Sequence, residues 1–123
     1  MNLDLEKLQF EAQRVVDGTI AMLPEPVRRH AVTLPVSYDA RLLQGLIDEG
    51  YDSDLLGLFV GAPLAEPDEC PLPPQIILFI ENLWSFADEE LTFFQEEVRT
   101  TYLHELGHYL GLDEIDLEKR GLD

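Results

Sequence analysis

Apolar residues recur at mostly helical spacing from Leu3 through Leu5, Leu8, Val15, Val16 and Ile20 to Leu23, with charges between them. That pattern predicts an amphipathic helix over 3–23, stopped by Pro24-Glu25-Pro26. Val27 to His30 reads as a further short turn. Ala31 to Ser37 is β-rich and predicts a short strand, in which Pro35 has to sit at an edge or a bulge. Ala40 to Glu49 reads as a short helix or an irregular segment closed by Gly50. Leu55 to Gly61 predicts a second strand, with small residues that permit close approach. Five prolines between Ala62 and Pro74 make that stretch a loop. Gln75 to Glu81 carries the clearest strand pattern. It is apolar on both faces, as a central strand covered by helices is. Asn82 to Phe86 then turns the chain, with Trp84 packed.

From Glu89 to Tyr109 or Leu110 the spacing predicts one long helix, with Asp88 as its N-cap and Glu89 and Glu90 complementing the helix dipole. Leu91, Val98, Tyr102, Leu103, Leu106 and Leu110 fall on one broad side at 100° per residue. Glu97, Thr100, Thr101, His104 and His108 fall on the other, with Glu105 at its margin. Gly111 follows as a C-cap in the left-handed region, where the chain can reverse sharply.

The polar side carries candidate chemistry. His104-Glu105-Leu106-Gly107-His108 puts two imidazoles four residues apart, one turn above the other on the same helix face. Two neutral ring nitrogens held that way suit a tetrahedral Zn2+, and Glu105 falls beside the remaining coordination position. A catalytic zinc needs a third protein ligand. Only 15 residues follow His108, so the turn at Gly111 makes Glu114 and Asp113 the first candidates. Asp116 ranks behind them, and His30 is a distant upstream alternative. The chemistry this donor set suggests is metal-assisted hydrolysis, with Glu105 taking a proton from water and returning it to the leaving amine. Tyr102, Tyr109 and His30 are the available candidates for stabilising an oxyanion, although the helical spacing assigns Tyr102 to the core.

Composition narrows the partners. The 123 residues are 46% hydrophobic, which fits a single domain over 1–123 with a core of its own. The net charge of -17 argues against nucleic acid, since few cations are available to replace counterions on phosphates. It equally disfavours anionic membranes, favours a soluble monomer and hints at basic peptides as ligands. The acidic start lacks the basic, apolar character of a signal peptide, and Ile76 to Ile80 is too short to span a bilayer. These features predict a cytoplasmic protein. Cys70 is the single cysteine, which excludes an intrachain disulfide and a multi-cysteine metal knot.

The segment from His104 to Glu114 resembles the extended zincin signature, in which His-Glu-x-x-His-x-x-Gly-x-x precedes a third ligand. The whole chain resembles the small bacterial zincin-like metallopeptidases, or minimal metalloproteases. The match is strongest over Thr101 to Leu112 and extends to Leu23-Pro24, Leu56 to Gly61 and Leu72 to Phe79. The resemblance implies an α+β fold: a small mixed sheet packed with an N-terminal helix and a long C-terminal active-site helix. It implies His104 and His108 as zinc ligands, Glu105 as catalytic acid/base, a third ligand at Glu114 with Asp113 open, and a peptide or protein substrate. Where metzincins carry histidine at the third position, this chain has Glu114, and no methionine follows for a Met-turn. A different class also fits the same residues: a metal-binding interaction module with a zincin-like fold and no turnover. A purely structural domain is a third.

Overall fold

The computed structural model describes residues 4–67 and 70–112. Within these residues eight elements follow in order: α1 (Leu5–Ala21), α2 (Glu25–Ala31), β1 (Val36–Asp39), α3 (Gln44–Asp48), β2 (Gly57–Val60), β3 (Gln75–Phe79), α4 (Ile80–Phe86) and α5 (Leu91–Tyr109). The result is a mixed α+β fold with a three-stranded sheet in the order β1-β3-β2. β1 runs parallel to the central β3, with Val36 opposite Ile76. β2 runs antiparallel to it, with Gly57 opposite Leu78 and Phe59 opposite Ile76.

α1 begins where the Asp4 side chain accepts a hydrogen bond from Lys7 N at 2.9 Å. It buries Leu8, Ala12, Val16 and Thr19, one stripe at spacings of four and three. Leu8, Ala12 and Val16 of that stripe, Ile76 and Leu78 of β3, and Phe94, Val98, Tyr102 and Leu106 of α5 belong to one core. β3 is central, as its pattern predicts. Burial reaches both of its faces: Ile76 and Leu78 on one and Phe79 on the other are fully covered, and Ile77 is half-buried. The helices that share the core with β3 pack on its Ile76–Leu78 face.

Three local expectations are corrected. Pro24 and Pro26 do not merely stop α1; they start α2, with Pro24 as N-cap and Pro26 in the first turn, where the missing N–H has no intrahelical partner to lose. The first strand begins at Val36, because Ala31 to Leu34 close α2 with bonds such as Leu34 N to Ala31 O at 3.1 Å. Residues 82–86 are not a turn but most of α4, which continues from β3 with no breaker between them.

That short helix also displaces the expected cap. Asp88 and Glu89 both take φ of 56°, and Glu89 N bonds Trp84 O at 2.9 Å while Asp88 N bonds Ser85 O at 3.1 Å. These two bonds form a Schellman closure of α4. The N-cap of α5 is instead Glu90, whose carboxylate accepts from Phe93 N at 2.8 Å.

The far end of α5 matches its reading. Gly111 has φ of 75°, its N–H reaches His108 O at 3.1 Å, and Leu112 N reaches Gly107 O at 2.9 Å. Those are the paired bonds of a Schellman motif, and they require the left-handed residue that Gly111 supplies without a Cβ penalty.

Candidate metal centre

α5 carries the site, and two neighbours hold it in place. Its core side packs against α1 and β3. Its polar side meets β2, the edge of the sheet. The approach to β2 is close because Gly57 has no side chain. A Cβ at that position would stand 2.6 Å from Thr101 Cγ2. Thr101 and Glu105, both on the polar side, are consequently buried at 9% and 8% exposure rather than facing solvent.

His104 and His108 leave α5 one turn apart. His104 is half-buried and His108 exposed, their rings lie edge-to-face at a centroid distance of 4.7 Å, and the two Nε2 atoms are 3.1 Å apart. One ring therefore donates to the other, or both turn lone pairs toward a shared cation. Two tetrahedral zinc ligands with Zn–N of about 2.0–2.1 Å stand about 3.3 Å apart, so the observed separation fits. With Glu105 the pair forms a cluster whose ligand atoms lie within 4.8 Å of one another, able to hold a metal ion.

Glu105 is tethered to the sheet. Its Oε1 accepts a hydrogen bond from Phe59 N at 3.1 Å. The sheet register explains why that donor is available. Phe79 N bonds Leu56 O at 3.0 Å, so alternation along the antiparallel pair leaves the backbone groups of Gly57 and Phe59 turned away from β3. Phe59 is fixed in turn by its ring against Tyr109, with centroids 5.7 Å apart. An edge strand thus orients a carboxylate one residue from His104.

A groove of about 490 Å³ opens over these groups. On α5 it is lined by Glu97, Thr100, Thr101, His104, Glu105 and His108, and opposite them by Tyr51, Leu55, Leu56, Gly57 and Leu58. All the residues expected on the polar front of the helix therefore reach one cleft. Of the expected third ligands, Asp113, Glu114 and Asp116 lie outside the described residues. His30 sits on α2 and does not line the groove.

The three candidate oxyanion donors are not in the groove either. Tyr102 is wholly buried and its hydroxyl has no hydrogen-bond partner among the described residues. Burial, reinforced by the charges of Tyr38 and Asp17, pushes its phenol pKa up. Tyr109 faces Phe59 and the proline-rich loop. Two contributors had no side-chain signature in the sequence: the Phe59 amide, which is backbone, and Tyr51, which the loop before β2 brings to the cleft. Gly57 had one, a small residue within a strand.

A family model described as zincin-like metallopeptidase matches residues 36–122, which include β1 to β3 and all of α5. A search of curated proteins found no match.

Proposed function

The chain belongs to the zincin-like metallopeptidase family, and on that premise we propose that it is a zinc-dependent peptidase. The observation that carries the proposal is the conjunction at one groove of two Nε2 atoms 3.1 Å apart and a buried carboxylate secured by Phe59 N. His104 and His108 are the protein ligands within the described residues, and Glu114 or Asp113 supplies the third. Zn2+ held there supplies Lewis acidity, which polarises a carbonyl and makes water at the site more acidic.

The protein's own part is positioning and proton transfer. Phe59 N–H holds one carboxylate oxygen of Glu105, which leaves the other to take a proton from the attacking water and deliver it to the leaving amine. Gly57 lines the groove with its backbone N–H and C=O unpaired by β3, so an extended peptide can add to the β2 edge by main-chain hydrogen bonds. That pairing holds the scissile bond along α5 beside the histidines.

The test separates metal binding from turnover. Purified protein is expected to hold one zinc, and the His104→Ala/His108→Ala variant none. At 100-fold excess over Kd, zinc stabilises the fold by about 2.7 kcal/mol, read as a rise in Tm that chelator reverses. Glu105→Gln keeps the Phe59 acceptor and the metal, yet is expected to lose cleavage of an unstructured peptide library. If wild type and Glu105→Gln cleave alike, or wild type cleaves nothing, the peptidase reading falls. Stoichiometric zinc without turnover then leaves the metal-binding interaction module.

A further inference from the structure

The groove continues well past the histidine pair. From His104 it follows α5 back through Thr101 and Thr100 to Glu97, about 10 Å along the axis at about 1.5 Å per residue. Leu55, Leu56 and Leu58 make the opposite wall apolar, and among the described residues no lysine or arginine lines the cleft. Glu97 is half-buried and forms no ion pair or hydrogen bond among the described residues. Among the described residues that carboxylate is short of counter-charge, and the neighbouring leucines are short of apolar cover.

We propose that this groove receives a lysine or arginine side chain of the bound peptide, its aliphatic stem on the leucines and its charged end on Glu97. Glu97 is then the residue that sets specificity. The chemistry matches on both counts: lysine and arginine bury their methylene stems on apolar surface while keeping the charged head at a polar partner. Glu97 lies seven residues from His104, so only the longest side chains can reach it from a backbone held beside the histidines. Short or acidic side chains leave the carboxylate unpaired. The net charge of -17 attracts any cationic peptide from a distance, so selection by Glu97 has to be separated from that general pull.

The inference rests on the peptidase reading for the presence of a peptide, and binding tests it independently of turnover. The probes are acetyl-Ala-Ala-Ala-Xaa-Ala-Ala-amide peptides with Xaa lysine, arginine, norleucine or glutamate. They are titrated onto zinc-loaded Glu105→Gln protein in 0.5 M salt, where the Debye length is roughly 4 Å and long-range attraction is screened. The lysine and arginine peptides are expected to bind about five- to tenfold tighter than norleucine, between the range of an exposed ion pair and that of a charged hydrogen bond. Adding Glu97→Gln should equalise lysine and norleucine, and adding Glu97→Lys should turn the preference to glutamate, with Tm confirming that both variants fold. Equal affinities for lysine and norleucine in the parent, no binding of any probe, or an unchanged ratio after Glu97→Gln overturns the proposal. Glu97-dependent selection without cleavage by wild type would remove the peptidase reading and leave this one standing. Cleavage that ignores Glu97 would do the reverse.

Discussion

The contact between Gly57 and Thr101 yields the sharpest test of how the site is held. In Gly57→Ala the new methyl falls 2.6 Å from Thr101 Cγ2, about 1 Å inside the usual carbon–carbon contact of about 3.5–4.0 Å. Thr101 is β-branched, helical and buried, so it cannot rotate away cheaply. Overpacking of this kind costs about 1–3 kcal/mol. Against it stands the gain of about 0.5–1 kcal/mol from replacing glycine by alanine inside a strand.

The clash wins, and Gly57→Ala should destabilise by about 1 kcal/mol or somewhat more. Removing the offending methyl reverses the balance. In a Thr101→Ser background the remaining near neighbours are the flexible end of Leu78 at 3.3 Å and Ile77 O at 3.4 Å, so the same substitution should be neutral or mildly stabilising. Urea denaturation of the four proteins of this double-mutant cycle measures the sign change directly. Function should follow stability. Glu105 lies one turn beyond Thr101, so pushing α5 off β2 lengthens its bond to Phe59 N and lowers peptide hydrolysis, which Thr101→Ser restores. Equal costs of Gly57→Ala in both backgrounds would show that the helix does not bear on β2 through this contact.

Other outcomes follow from single features. Gly111 has open space around its Cα but a φ of 75°, so Gly111→Ala should cost about 1–2 kcal/mol through backbone strain alone, and Gly111→Asn clearly less, as Tm or urea midpoints will show. The Tyr102 hydroxyl is buried without a partner among the described residues, so Tyr102→Phe should be neutral or stabilising by up to about 1 kcal/mol at pH 7; a loss of similar size would refute that. Burial, with Asp17 adding, raises the Tyr38 phenol from 10.0 to about 12. The unfolded chain then sheds a proton that the folded chain keeps, so stability is complete below pH 10 and falls as pH rises toward 12. Urea midpoints across that interval should show the decline, flattened in Tyr38→Phe/Tyr102→Phe.

Much of the site was legible because it is written on one helix. A period of 3.6 places Glu97, Thr100, Thr101, His104 and His108 along one face whatever packs against the other, and left-handed geometry at Gly111 follows from glycine itself. α1 and the central position of β3 were readable for the same local reasons, and so was the mixed architecture, whereas the Asp4 cap of α1 was not singled out. The boundary between α4 and α5 was not. Two acidic residues in the left-handed region end one helix before the next begins, and Asp88 looks the same in sequence whether it closes or opens a helix.

The amino-acid sequence alone thus determines which groups can act: two imidazoles one turn apart, a carboxylate beside them, and an acidic chain around them. Tertiary structure decides what they face. Glu105 stands at the margin of a helical wheel, and only the register of β2 turns the Phe59 amide toward it. Leu55, Leu56 and Leu58 read as strand residues until the edge strand lays them across a cleft from Glu97. Backbone direction at a sheet edge depends on pairing with a strand that is distant in the chain, and no local pattern encodes it.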